Sequence, residues 1–419
     1  MLRSSIVAFS ALLLPLALRV NAAPLEERDV NIGWPYGSEK IRGVNIGGPS
    51  LFQNTGNDAI VDEWTFGQYQ DYNTAHSALV DHWNTWITEE DFAQIAAVGL
   101  NHVRIPIGYW AYDVSAGEPY IQGQAPYLDN AIGWARNHGL KVVIDLHGAP
   151  GSQNGYDNSG HRGAATWDQD PNNVLRTKNV IQTLSLKYSD PSYWQVVTML
   201  GLLNEPAGYL SQHLLDTTRQ YYYDGYGAAR WPWAPQGSAS KSGLVIAIHD
   251  AFQSLSFWDN FMPEPNWEDV FLDTHNYQVF NQDFQTWTWD QHIQASYYST
   301  SPLWLVVGEW TLASSDCAQW VNGRGIGARM DGTYPGSYFV ASCDGKSGDS
   351  STFSADYKTF LRKFYDVQTQ VYENSGQGWI HWTWKTETSA DWSYQTGLAQ
   401  GWIPSDPTNH QYSLSSLCS

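Results

Sequence analysis

Cysteine is scarce in this 419-residue chain. Its three cysteines, Cys317, Cys343 and Cys418, all fall in the last quarter, and none stands beside histidine at metal-ligand spacing, which excludes a zinc-finger type of framework. In an oxidising compartment an odd count leaves one thiol over. A Cys317–Cys343 pair would close a modest loop, and Cys418, next to the C-terminus, is the one left. Positive charge is also short: 22 Lys and Arg face 42 Asp and Glu, a formal net charge of −20. That balance excludes a nucleic-acid binder, which needs a basic face for phosphates, and docking on an anionic membrane. Asn-x-Ser/Thr is missing throughout, so no N-glycosylation is expected. So are His-Glu-x-x-His, Gly-x-Ser-x-Gly and Gly-x-x-x-x-Gly-Lys-Ser/Thr, so metalloprotease, serine acyl-transfer and nucleotide chemistry have no support.

Long apolar runs are lacking too. The one candidate, residues 6–18, is too short to span a bilayer. With Arg3 ahead of it and Asn21-Ala22-Ala23 behind, it predicts a signal peptide over 1–23; Pro24 to Arg28 could be a short pro-piece. The expectation is a protein secreted to the extracellular space or cell wall, without a membrane partner, and monomeric. Residues 29–419 read as one domain, since no repeat, linker or composition shift divides them.

Aromatic side chains are abundant, with 22 Trp, 25 Tyr and 14 Phe. They can pack a large core or serve as flat platforms for sugar rings. A 42% hydrophobic and 15% charged composition excludes a disordered, collagenous or coiled-coil chain. Eight β-branched or Leu-rich runs recur, at 41–45, 102–107, 142–146, 196–203, 244–248, 270–273, 303–307 and 379–382. Continuous apolar runs suit parallel strands buried on both faces. Helical stretches lie between them, including 88–98, 127–137 and 356–372. Thr88-Glu89-Glu90-Asp91 has the makings of a capped, acidic helix start. The α/β class is expected, as a (β/α)8 barrel of the TIM type.

Polar and aromatic residues gather where these runs end: Arg104, Asp145 and His147, Asn204-Glu205-Pro206, His249 and Asp250, His275 and Tyr277, Glu309, Trp382 and Trp384. In a parallel barrel those ends share one rim, where active sites are built. Glu205 and Glu309 each follow an apolar run directly and should be partly buried, which asks for a partner or a function. Runs four and seven would face each other across the mouth. A facing carboxyl pair suits glycoside hydrolysis, one group protonating the leaving oxygen and the other attacking the anomeric carbon. The proton donor is expected to have the raised pKa. His147, His249 and His275 could instead suggest a zinc hydrolase, but rim histidines also bind sugar hydroxyls. No metal and no cofactor are expected.

The runs and their ends resemble glycoside hydrolase family 5, in the manner of the fungal exo-β-1,3-glucanases. Ile41-Arg42-Gly43-Val44-Asn45, Arg104-Ile105-Pro106-Ile107-Gly108, Asp145-Leu146-His147-Gly148-Ala149-Pro150-Gly151, Leu203-Asn204-Glu205-Pro206, Ile248-His249-Asp250-Ala251-Phe252, His275-Asn276-Tyr277, Gly308-Glu309-Trp310 and Trp382-Thr383-Trp384-Lys385 carry the likeness in order. The resemblance implies a retaining enzyme with Glu205 as acid/base and Glu309 as nucleophile. Asn204 would bind the 2-hydroxyl of the reacting glucose and Arg104 would orient the nucleophile. His147, His275 and Tyr277 would line that subsite over a Trp382 floor. Tyr156 and Phe280 would clamp the next glucose, and Asn158 would contact a hydroxyl. β-Glucan is the implied partner.

Two departures stand out. Family members usually carry a longer, glutamate-containing segment between the Gly-Gly of the first strand and Pro-Ser, whereas Gly47-Gly48 here runs straight into Pro49-Ser50. The family also often pairs the C-terminal cysteine with one near residues 295–299, where this chain has none. A β-1,6-glucanase, a transglucosylase and a non-catalytic β-glucan-binding wall protein are the alternative readings.

Overall fold

Eight parallel strands close into a barrel in the computed structural model of the protein, which describes residues 33–47, 51–296, 301 and 303–417. The strands are β1 (Ile41–Asn45), β2 (His102–Gly108), β3 (Lys141–Gly148), β4 (Val197–Gly201), β5 (Val245–His249), β6 (Val270–Asn276), β7 (Trp304–Trp310) and β8 (Gly378–His381). Each pairs with its sequence neighbour and β8 closes on β1. All eight apolar runs are therefore strands of a (β/α)8 barrel. The proposed signal segment, the Gly48–Pro49 junction and Cys418 lie outside the described residues.

Side chains along each strand alternate between two cores. Ile41, Val143, Met199, Val245, Phe271, Val306 and Ile380 point inward and fill the barrel. Val44, Val103, Val142, Leu200, Ile246, Leu272, Leu305 and Trp379 point outward under the helices. Tyr36 plugs the end away from the active rim, edge-on against Phe271 and donating a hydrogen bond to Thr198. This layering confines polar side chains to the opposite end, where Asn45, Arg104, Asp145, Asp273 and Glu309 are all buried.

The helices begin on the signals the sequence carries. Glu89–Ala97 starts at Thr88, whose amide donates to the Asp91 carboxylate. Ala125–Asn137 and Ala355–Ser375 fall where periodicity placed them. The β5–β6 connection is the exception: residues 250–269 hold only the 3-10 turn Leu255–Trp258 in place of a helix. Cys317 and Cys343 form a disulfide in the long loop after β7.

Candidate active site

Arg104 is the hub of the rim. It sits on β2, in register with Asn45 and Val143, and is 1% exposed. Its Nη1 donates to Glu309 Oε1 at 2.7 Å and to Asn45 Oδ1 at 3.0 Å. Its Nη2 reaches Asn204 Oδ1 at 2.8 Å and Asp145 Oδ1 at 3.0 Å, with Asp273 Oδ2 at 3.8 Å. Burial works against the guanidinium charge, but Asp145, Glu309 and Asp273 outweigh it and raise the pKa. In return Arg104 holds Asp145 below the usual carboxylate range, against its own burial. A rigid planar donor serving several acceptors is what arginine supplies and lysine cannot.

Glu309 reaches the interior through a register shift. Leu305 and Val307 face outward and Val306 inward, so strict alternation would aim residue 309 at the helices. Thr274 pairs with Val307, yet His275 pairs with Glu309, leaving Gly308 as an extra residue. Such a bulge re-aims the side chain beyond it. The Gly308 amide donates to Asp273 Oδ1 at 2.9 Å, and a Cβ at this position would lie 2.1 Å from that oxygen. Glycine is required by close approach. Glu205 is aimed by a different device: its φ of 46° places a non-glycine residue in the left-handed region, a conformation costing on the order of 1–3 kcal/mol that clusters at functional sites.

The two carboxyls meet at His275. Its Nδ1 donates to Glu205 Oε1 at 2.6 Å and lies 3.5 Å from Glu309 Oε2. Both carboxyls therefore converge on one nitrogen at the rim, the convergence that glycoside hydrolysis by two carboxyls requires. Tyr277 donates to Glu309 Oε2 at 2.8 Å, and burial together with the adjacent carboxylates keeps its phenol protonated. Burial opposes charge on His275, but Glu309, Asp273 and Glu205 together raise its pKa well above the ordinary value. Burial likewise raises Glu205, and the His275 proton more than reverses it, so Glu205 lies below its ordinary value. The raised acid expected from the sequence is thus not found at Glu205, because the proton is held on the histidine side of a short contact.

The remaining expected residues fall as follows. Asn204 spends Oδ1 on Arg104, which turns its buried Nδ2 to a position without a partner among the described residues. His147 is bound through Nδ1 to Asp145 Oδ2 at 2.7 Å and stacks against Trp382 at 5.9 Å. Asn158 donates to Glu205 Oε2 at 3.3 Å. Tyr156 and Phe280 are engaged separately: the Tyr156 hydroxyl bonds that of Tyr209, while Phe280 packs on Tyr277 with Arg329 over its ring. Sequence reasoning missed Asn45, Asp273, Tyr209 and Phe252. The first two are polar residues inside otherwise apolar strands, a signal that was available. The last two are exposed aromatics in contact beyond β4 and β5, and nothing local marks them.

Among the described residues, Glu205, His249 and His275 offer ligand atoms within 4.8 Å of one another, with His147 outside the group. His249 accepts the Ala251 amide on Nδ1, and burial beside His275 keeps it neutral.

A family model described as cellulase (glycosyl hydrolase family 5) matches residues 58–231. The glucan 1,3-beta-glucosidase of Blumeria graminis is 44% identical, covering 93% of this chain and 92% of its own length. That of Candida oleophila is 40% identical, covering 97% and 98%. Among solved structures, rutinosidase from Aspergillus niger superposes with a TM-score of 0.68 at 17% identity over 88% of this chain and 98% of its own, a likeness of fold.

Proposed function

Because the chain belongs to glycosyl hydrolase family 5, we propose that it is a retaining β-1,3-glucanase that trims terminal glucose from the non-reducing end of β-glucan outside the cell. The observation that carries this is the pair of buried carboxyls converging on one histidine nitrogen, the arrangement of two carboxyls that flanks a glycosidic bond. The relatives named above act on 1,3-linked glucan by name.

Glu309, oriented by Arg104 and Tyr277, attacks the anomeric carbon. The glycosidic C–O bond breaks, and Glu205 delivers a proton to the departing oxygen. That proton comes from the His275 Nδ1 contact, and His275 becomes neutral as it leaves. In the second step Glu205 takes a proton from water, which attacks the same carbon and frees Glu309. The unpartnered Asn204 Nδ2 receives the 2-hydroxyl of the reacting sugar, a contact that strengthens in the transition state. Trp382 stacks beneath the ring.

The test is proton NMR of laminarin digested by the secreted protein and by its Glu309→Gln variant. New reducing ends should appear first as the β-anomer, and the variant should lose turnover by about 10³-fold or more. First appearance of the α-anomer, or a variant as active as the parent, would sink the assignment.

A further inference from the structure

His249 closes β5, the strand paired with β4, and so stands beside Glu205 on the rim. It is buried. Its Nδ1 accepts the Ala251 amide at 3.0 Å, which puts the ring proton on Nε2. That N–H has no partner among the described residues, and a buried donor left bare is costly enough to ask for a reason. His381 also has bare ring nitrogens, but it is packed against Trp310 and Tyr394. His249 instead belongs to the catalytic group: Glu205, His249 and His275 each offer an atom within 4.8 Å of the others. A gap of up to that length, not closed by a direct bond, suits one oxygen atom held between a carboxyl and an N–H at ~2.8 Å from each. The turn after β5 fixes the ring in this pose. Ala251 and Phe252 have φ of 52° and 59°, and the Phe252 amide donates to Asp250 Oδ1 at 2.8 Å.

We propose that His249 is a further catalytic residue, whose Nε2–H donates to the same oxygen that Glu205 protonates, the glycosidic oxygen of the leaving sugar. This rests on the assignment of Glu205 as acid/base above. The glycosidic oxygen has two lone pairs. One takes the proton from Glu205 while the C–O bond breaks and its electron pair stays on oxygen. The other accepts from His249, which keeps its proton throughout. The hydrogen bond strengthens as negative charge grows on that oxygen, so it acts on the transition state more than on the bound substrate. In the second step water enters at the same place, giving a proton to Glu205 while accepting from His249.

The donor matters most where the leaving oxygen is a poor one. In His249→Leu, kcat/KM should fall by about 10²-fold for laminaribiose, yet by less than about threefold for 2,4-dinitrophenyl β-glucoside, whose leaving group needs no help. His249→Gln, which can place an amide N–H where Nε2 lies, should recover about tenfold of the loss on laminaribiose. Equal losses on the two substrates, or no loss on either in the folded variants, would overturn the inference. Azide separates this from a failure of Glu205 itself. Glu205→Ala should convert the dinitrophenyl glucoside to β-glucosyl azide, because the small anion enters where the carboxylate stood, and His249→Leu should form none. Glucosyl azide from His249→Leu would mean that the substitution had displaced Glu205, which overturns the inference and leaves the proposed function standing. No azide product from Glu205→Ala would reject the acid/base assignment, and the inference with it.

Discussion

Nδ1 of His275 serves two carboxyls at once, 2.6 Å from Glu205 and 3.5 Å from Glu309. Its proton is what holds Glu205 below the usual carboxylate value. Removing it in His275→Gln should therefore raise Glu205, which must then carry the acidic proton itself. The alkaline limb of the kcat/KM profile, set in the parent by loss of the strongly held His275 proton, should move to lower pH, while kcat falls by about 10²-fold. An alkaline limb that stays in place would show that another group sets it. Asp391 illustrates a carboxyl raised for structural reasons. It is 1% exposed, and burial lifts it to about 7 despite hydrogen bonds from Ser347 and Tyr357. A carboxyl raised on folding contributes its full stability below the unfolded pKa of about 3.9 and loses it as pH climbs toward 7. Asp391→Asn should flatten the fall in melting temperature between pH 4 and 7, a difference on the order of 4 kcal/mol. A variant whose melting temperature falls as steeply as the parent's between pH 4 and 7 would contradict this.

Strand β7 shows how an element positions chemistry. One extra residue, Gly308, turns Glu309 from the helical layer into the barrel, and the same glycine lets Asp273 approach its amide. A methyl group placed 2.1 Å from that carboxylate must displace it, and Asp273 in turn lies near Arg104 and His275. Gly308→Ala should cost about 1–3 kcal/mol in urea unfolding and lower kcat far more than it raises KM. Wild-type kinetics in a folded Gly308→Ala protein would mean the rim tolerates the shift.

At the scale of the whole molecule the excess of acidic groups, 42 against 22 basic ones, makes the native state repel itself. The important ion pairs, such as Arg104 with Glu309 and Asp145, are buried and little screened by salt. Raising sodium chloride from about 10 to 150 mM should raise Tm by a few degrees. A falling Tm would mean that exposed ion pairs outweigh the repulsion. No helix among the described residues is long and apolar enough to cross a membrane.

The number and order of the strands, the helix start at Thr88, the helical stretch over 356–372, and the gathering of Arg104, Glu205, His275 and Glu309 at one rim were legible in the chain, because each depends on local pattern. Burial on both faces writes a continuous apolar run, and polar residues tolerated at its end mark the rim. Orientation was not legible. Alternation alone would send Glu309 outward, and only the pairing of β6 with β7 introduces the bulge that turns it in. β4 and β7 prove to be three strands apart rather than diametrically opposed. The helix expected between β5 and β6 is replaced by a short turn. The direction of the Glu205 shift was misjudged for the same reason: its pKa depends on His275, 70 residues away. Local sequence specifies which groups are available, while register, distance and shared protons arise from contacts between segments that meet only when the barrel closes.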